Sequence, residues 1–228
     1  MKKVLLIIIA SLFSFSSANA LEYTIGAGFN VGVFAAEGKE DNCNEDCSEI
    51  VTTKEYGAFQ ADYGSVFVEY DFGGFSLGFD LMPYSLESER AENERGAGDA
   101  GLAAGGQTDT GNNTVQVNIE NFVTLYGLVP IGDTGGYVKA GISQADLITD
   151  EAMGATSTAY PDTELDGYQV TAGWAFDTGV GASIRAEVGY ADYDDVVVTG
   201  TGCDGTCNTV TVSGLDGPIA RLSIVKAF

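Results

Sequence analysis

The sequence contains no histidine, and this absence removes the base on which most serine-nucleophile enzymes depend. It also contains no G-x-S-x-G segment, zinc-protease motif or phosphate-binding loop. Paired carboxylates can hydrolyse glycosides, but nothing singles out one pair among 33 acidic residues. We therefore expect a protein that is not an enzyme, with no catalytic residue, no metal and no cofactor.

Basic residues are scarce as well, since 10 Lys and Arg stand against 33 Asp and Glu, for a net charge of −23. Nucleic-acid binding needs a basic surface, and so does electrostatic docking on anionic lipid, so this charge argues against both. Proline is rare at 4 residues, whereas glycine is abundant at 31. This balance favours a sheet with tight turns and a crowded interior.

Long apolar runs are missing except at the start, where Lys2 and Lys3 precede the uninterrupted apolar residues 4–10. A spanning helix needs about 20 apolar residues, so a membrane anchor is the weaker interpretation. Ala18-Asn19-Ala20 matches a signal-peptidase site. We expect a cleaved signal peptide at 1–20 and one domain at 21–228.

The remaining apolar residues alternate with polar ones, which is the pattern of a strand with one face in lipid and one in a lumen. Eight strands are predicted. They cover about 23–34, a stretch ending at 66–70, 75–81, a stretch from 114, 138–143, 168–176, 184–190 and 218–228. Asn121 interrupts the outward face of the fourth strand, as a flaw in the pattern or a bulge.

The connections alternate between short and long. Tight Gly/Asp turns are predicted near 72–74, 131–136 and 177–181, and long polar loops near 36–57, 85–113, 149–165 and 194–212. This predicts an all-β, antiparallel, up-and-down transmembrane barrel with short periplasmic turns and long extracellular loops. A periplasmic aromatic girdle is expected from Tyr23, Tyr70, Phe72, Phe75, Tyr126, Tyr137, Trp174, Phe176 and Phe228.

The last strand, 218–228, alternates in polarity and ends in Phe228. With this ending the mature chain resembles the small eight-stranded outer-membrane barrels of the OmpA/OmpX and opacity-protein type. The resemblance implies a monomer in the cell outer membrane, in contact with its lipid and lipopolysaccharide. It also implies that Phe228 is an insertion signal for the barrel-assembly machinery. Lys226 stands where the family usually carries a second aromatic residue.

Charged residues fall on the predicted inward faces. An eight-stranded barrel is only just wide enough for its side chains, so these charges must pair or be hydrated. We expect a salt-bridge plug that includes a Glu187–Arg221 pair; a cation-preferring channel is the alternative. The predicted network comprises Glu69, Asp80, Glu120, Lys139, Arg185, Glu187 and Arg221, and Asp71 is also assigned to the inward face.

Four cysteines, Cys43, Cys47, Cys203 and Cys207, lie in loops predicted to be external, where an oxidising environment favours disulfides. The expected pairing is Cys43 with Cys47 and Cys203 with Cys207. Pairing between the first and last loops is an alternative, because the first and last strands must be neighbours. A zinc ion held by all four thiolates is a second alternative.

The long loops are strongly acidic but carry no EF-hand or calcium-binding nonapeptide motif. The predicted function is a structural or surface-interaction role in which these loops are displayed outside the cell. A small passive porin is the first alternative. A soluble secreted β-sandwich that binds cations or sugars is the second.

Overall fold

The computed structural model describes residues 22–43, 50–94, 112–152, 159–201 and 208–228. The predicted signal peptide, Cys47, Cys203 and Cys207 lie outside these residues, as does the Cys43 side chain. Among the described residues, no helix is long and apolar enough to cross a membrane. The strands are β1 Tyr23–Cys43, β2 Ile50–Asp71, β3 Ser76–Leu81, β4 Leu86–Glu87, β5 Ala91–Glu94, β6 Asn112–Pro130, β7 Gly136–Ala152, β8 Thr163–Asp177, β9 Ser183–Tyr193, β10 Val196–Thr199 and β11 Thr209–Ala227.

The strands close into a ring with eight walls, as the sequence predicts. All pairings are antiparallel, and β1 hydrogen-bonds both β2 and β11. The short strands β3, β4 and β5 follow one another along β6, so that they form one wall. In the same way β10 continues the wall of β9 along β11. Closure satisfies the backbone hydrogen bonds that an open sheet would expose to lipid.

Tight turns join the strands at one end of the ring, which we call the lower end. Gly73 and Gly179 adopt φ of 83° and 75°, a conformation that disfavours any residue with a Cβ. The preceding Asp71 and Asp177 accept hydrogen bonds from the amides of these two glycines over 2.7 and 2.8 Å. Asp71 therefore braces a turn and is exposed at the end of β2.

The outer surface above the turns is an apolar band. It includes Ile25, Phe29, Val66, Leu77, Val138, Val170, Val188, Leu222 and Ile224. At its lower edge Tyr23 stacks on Phe228 with ring centroids 5.1 Å apart. At its upper edge the outward Tyr168 hydroxyl donates to Asp192 over 2.7 Å. Eight residue steps separate Tyr168 from Phe176 at the lower edge, which suits a spanning strand of about 9–11 residues.

Two residues of the predicted girdle lie elsewhere. Tyr126 and Tyr137 are only 3% and 4% exposed and point into the lumen. Tyr126 follows the inward Phe122 and Thr124 at steps of two along β6, so simple alternation directs it inward. Before these residues, the pairing of β6 with β7 shifts between Glu120 and Val123, which marks a bulge. Asn121, at this bulge, adopts φ of 52°. The interruption of the pattern at Asn121 is therefore a bulge.

The same bulge makes the predicted lumen position of Glu120 wrong. A one-residue bulge exchanges the two faces of a strand, so residues before it follow the opposite alternation. Ile119 packs with the inward Phe122, although the sequence pattern assigns Ile119 to the outer face. Glu120 consequently lies on the outer face, opposite Asp146 of β7.

The predicted first loop, 36–57, is in large part a continuation of β1 and β2 above the apolar band. Acidic residues disfavour strands, but here lysines neutralise them, one across the ribbon and one along β1. Lys54 Nζ lies 2.5 Å from Glu37 Oε1, and Lys39 Nζ lies 2.5 Å from Asp41 Oδ2. The hydrogen bond from Lys54 is the main reason that the pKa of Glu37 is lowered, and the bond from Lys39 does the same for Asp41.

Replacing Lys54 with Gln should raise the pKa of Glu37 toward its ordinary value, because its strongest partner is lost. A carboxylate with a lowered pKa stabilises the folded ribbon at neutral pH, and this contribution disappears as pH falls through that pKa. The measurement is a ¹³C NMR titration of the Glu37 carboxyl, compared with that of Asp41, which should change far less because its main partner is Lys39. An unchanged Glu37 titration in Lys54→Gln would contradict the pairing.

Candidate functional site: a closed lumen beneath an apolar chamber

Three ion pairs cross the lower lumen. Arg185 Nη1 lies 2.7 Å from Glu69 Oε1, and Arg221 Nη1 lies 2.5 Å from Asp80 Oδ2. The third pair joins Lys139 to Glu187, and both of these side chains are less than 5% exposed. Three cations thus meet three carboxylates, so the network carries no net charge. Buried charges persist only when they are paired in this way.

Tyr126 connects two of these pairs. Its hydroxyl donates to Glu69 Oε1 over 2.9 Å, and Glu69 also binds Arg185. The ring of Tyr126 lies beneath the other pair, with Lys139 Nζ 5.0 Å from the ring centroid. One phenol therefore contacts the carboxylate of one ion pair and the cation of the next.

Tyr137 makes the reciprocal connection. Its hydroxyl donates to Glu187 Oε1 over 2.9 Å, and Glu187 is the carboxylate bound by Lys139. The guanidinium of Arg185 lies 5.5 Å from the centroid of the Tyr137 ring. Together the two phenols interlock two ion pairs, and we call the set of six, Glu69, Tyr126, Tyr137, Lys139, Arg185 and Glu187, the plug.

Arg221 closes the lumen next to the plug. Its guanidinium lies 4.4 Å from the centroid of the Phe67 ring, and Nη2 donates to Ser65 Oγ over 3.3 Å. The predicted ion pair between Arg221 and Glu187 is wrong in its partners, although the two residues face each other in the register of β11 and β9. Long side chains in a narrow barrel reach across the lumen, and Arg221 reaches Asp80.

Two inward glycines make room for the phenols. A Cβ on Gly78 would lie 2.2 Å from the Tyr126 ring, and a Cβ on Gly173 would lie 2.4 Å from the Tyr137 ring. Each glycine thus lets a ring lie flat across the neighbouring strand. The high glycine content of the sequence signals such crowding without saying which rings use it.

Above the plug the lumen becomes apolar, and we call this part the chamber. Met82, Phe122, Ala145, Leu165 and Val196 form its buried cluster. Aromatic rings dominate the wall: Phe34 contacts Tyr193 at 5.8 Å between centroids, and Tyr63 contacts Phe122 at 5.5 Å. The chamber encloses a cavity of about 50 Å³. Among the described residues, no three His, Cys, Asp or Glu side chains are arranged to hold a metal.

The chamber wall is incomplete where β2 passes β4 and β5. The ladder between β2 and β3 ends at Val66 and Leu81. Beyond it, β4 and β5 pair with β6, and no pairing with β2 occurs in the described ranges. Between residues 82–86 and β2 there is therefore a gap, which we call the seam. It begins at Gly64 and continues toward the upper end of the ring, where the residue numbers of β2 decrease. This start lies between the outward Val66 and Asp62, at the upper border of the apolar band.

Sequence reasoning placed Glu69, Asp80, Lys139, Arg185, Glu187 and Arg221 on inward faces, and the structure brings these six together. It did not identify the phenols or the aromatic chamber. Alternation marks a residue as inward but does not reveal which inward residues meet across a lumen. Cys47, Cys203, Cys207 and the side chain of Cys43 lie outside the described part of the chain, so the disulfide pairing stays a prediction.

The fold is similar to that of outer membrane protein OprG from Pseudomonas aeruginosa, at 12% identity over 92% of this chain and 96% of that chain, with a TM-score of 0.53. Outer membrane protein AlkL matches at 18% identity over 93% of both chains, with a TM-score of 0.46. The outer membrane protease OmpT from Escherichia coli matches at 9% identity over 90% of this chain and 97% of that chain, with a TM-score of 0.41. No family model and no curated protein matches the sequence.

The similarity to OprG shows the fold, which is that of the small outer-membrane β-barrels that the sequence resembles. The closed ring and its outward apolar band agree with this fold. The protein is accordingly an outer-membrane β-barrel, in contact with membrane lipid.

Replacing Lys139 with Met should destabilise the barrel by about 3–5 kcal/mol, because Glu187 is left buried without its cation. Adding Glu187→Gln in the same chain should recover part of this loss. Urea unfolding in lipid vesicles, followed by fluorescence of Trp174, the single tryptophan, measures both effects. Lys54→Met, at an exposed lysine, is the matched control and should change stability far less. Equal losses for the two lysines would contradict the plug.

Proposed function

We propose that this outer-membrane barrel takes up small apolar molecules into the chamber and exchanges them with the outer leaflet through the seam. The observation that carries the proposal is an aromatic cavity, above a charged plug, whose wall lacks a backbone ladder at the border of the lipid-facing band. Binding sites for small molecules are typically concave and lined by apolar and aromatic side chains. Apolar molecules dissolve in the outer leaflet, from which the seam gives the shortest path.

The plug makes a sideways route to the leaflet easier than a route down the barrel axis. An apolar molecule that moved down the barrel axis would have to displace interlocked ion pairs, which leaves buried charges unpaired. The path sideways displaces no buried ion pair, and the partly exposed side chains of Phe59 and Leu86 line it. Exchange with the leaflet is therefore favoured over passage through the lumen.

The porin alternative predicts a hydrated lumen, and the plug argues against it. In planar bilayers the wild-type protein should show no steady single-channel conductance. Arg221→Ala should leave conductance at that baseline, because Glu69 and Glu187 keep their own cations. A stable ohmic channel in the wild type, or one that Arg221→Ala alters, would instead support the cation-preferring pore.

A surface-interaction role remains a proposal beside the chamber. It is supported by the acidic ribbon of β1 and β2, which extends beyond the apolar band to Cys43 and Ile50. Contact with lipopolysaccharide, recognition by the assembly machinery, the monomeric state and the absence of enzymatic activity likewise stay predictions. The soluble β-sandwich is not the observed fold.

Two methionines remain after the expected signal peptide, Met82 in the chamber and Met153 outside the described residues, so methyl NMR can test the chamber directly. With ¹³C-methyl methionine in lipid nanodiscs, titration with toluene should shift the Met82 signal saturably and leave Met153 unchanged. The physical reason is the ring current of an aromatic molecule beside the buried methyl group.

Ala145→Leu should weaken this response, because the added side chain fills the chamber, where Ala145 is 1% exposed. Ala140→Leu makes the same change on the exposed outer face of β7 and is the matched control. If the Met82 signal does not respond to toluene, or if both variants respond as the wild type does, the chamber is not the binding site.

A further inference from the structure

The chamber as it stands is too small for most ligands. Its cavity of about 50 Å³ is well below the roughly 300–1,000 Å³ of typical small-molecule sites. An apolar molecule larger than a few atoms can therefore enter only if part of the wall moves. The ladders of β6 with β7, β7 with β8 and β9 with β11 continue past the plug and resist such movement. The ladder of β8 with β9 ends at Gly167, and above it the Asp194 amide donates to the Asp166 carbonyl over 2.8 Å.

The seam differs from these walls, because at its foot a side chain replaces the ladder. The Gly64 amide, the first amide of this edge beyond the last β2–β3 pair, donates to the Tyr84 hydroxyl over 2.5 Å. Alternation along β2 directs the amides of Tyr63 and Ser65 toward β1 instead. Pro83 has no amide hydrogen and cannot extend the ladder from the facing side.

Tyr84 is suited to release as well as to closure. Its side chain is 47% exposed, so that breaking its hydrogen bond does not leave a buried hydroxyl unsatisfied. The partner Gly64 leaves space beside the phenol: a Cβ there would lie 3.6 Å from the Tyr84 oxygen, an ordinary contact. The ring can therefore swing away from β2 without displacing packed atoms of Gly64.

We propose that the Tyr84 hydroxyl is a latch that holds the foot of the seam closed and so sets the rate at which apolar molecules enter and leave the chamber. This inference rests on the proposed function for its effect on ligand exchange. The closing of the seam itself does not depend on any ligand.

Tyr84→Phe removes the hydroxyl and keeps the ring. In the ligand-free protein in nanodiscs, hydrogen exchange of the Gly64 amide should become about threefold to tenfold faster, the factor expected from one neutral hydrogen bond. Tyr168→Phe is the matched control, because it removes a hydroxyl that donates to Asp192 away from the seam. Gly64 exchange equal to the wild type in Tyr84→Phe would overturn the latch.

The second measurement is the exchange rate of toluene at the Met82 methyl, read from its line shape. Tyr84→Phe should raise association and dissociation rates together by a similar factor, with little change in affinity, while Tyr168→Phe should leave both rates unchanged. If Gly64 exchange accelerates but toluene never reaches Met82, the proposed function fails and the latch stands as a structural contact. If toluene binds with unchanged rates in Tyr84→Phe, the latch fails and the chamber stands.

Discussion

The structure depends on the two tyrosines that interlock two buried ion pairs. Tyr126 donates to Glu69 while it supports Lys139, and Tyr137 donates to Glu187 while it supports Arg185. Each phenol supplies a hydrogen bond that a carboxylate would otherwise take from water. A buried ion pair repays its desolvation only when its remaining hydrogen-bonding capacity is satisfied. The tyrosines thus allow charges to fill a lumen too narrow for bulk water.

This arrangement divides the barrel into two parts with different physical chemistry. In the lower part, charges, phenols and complete ladders bind the walls to one another. In the upper part, Phe34, Phe122 and Leu165 enclose an apolar space that neither water nor an ion stabilises. An apolar solute and an ion should therefore behave differently in this barrel. The apolar solute can remain in the chamber, whereas an ion finds no unpaired charge to bind in the plug.

Period-two alternation predicted the barrel, its tight turns and six inward charges, because a strand with one face in lipid alternates apolar and polar residues. Glu120 shows where alternation alone is insufficient. The interruption at Asn121 was visible, but its consequence, an exchange of faces before it, follows only once the pairing with β7 is known. The sequence also could not reveal which lumen charges form ion pairs. Arg221 is the neighbour of Glu187 in the strand register, yet it binds Asp80 across the lumen. Acidic residues in 36–43 favoured a loop, because the lysines that neutralise them lie on both strands of the ribbon.

The uneven distribution of contacts determines where this barrel can move. Segments open locally where few buried contacts and incomplete ladders hold them, while regions with dense networks open only with global unfolding. The plug belongs to the second kind, and the seam belongs to the first. A barrel sealed by ladders on every side would be more stable but would isolate its chamber from the leaflet. Above Val66, the edge of β2 that faces away from β1 has no strand partner, which gives up backbone hydrogen bonds. In return the barrel has a wall that one side chain, Tyr84, can hold and release.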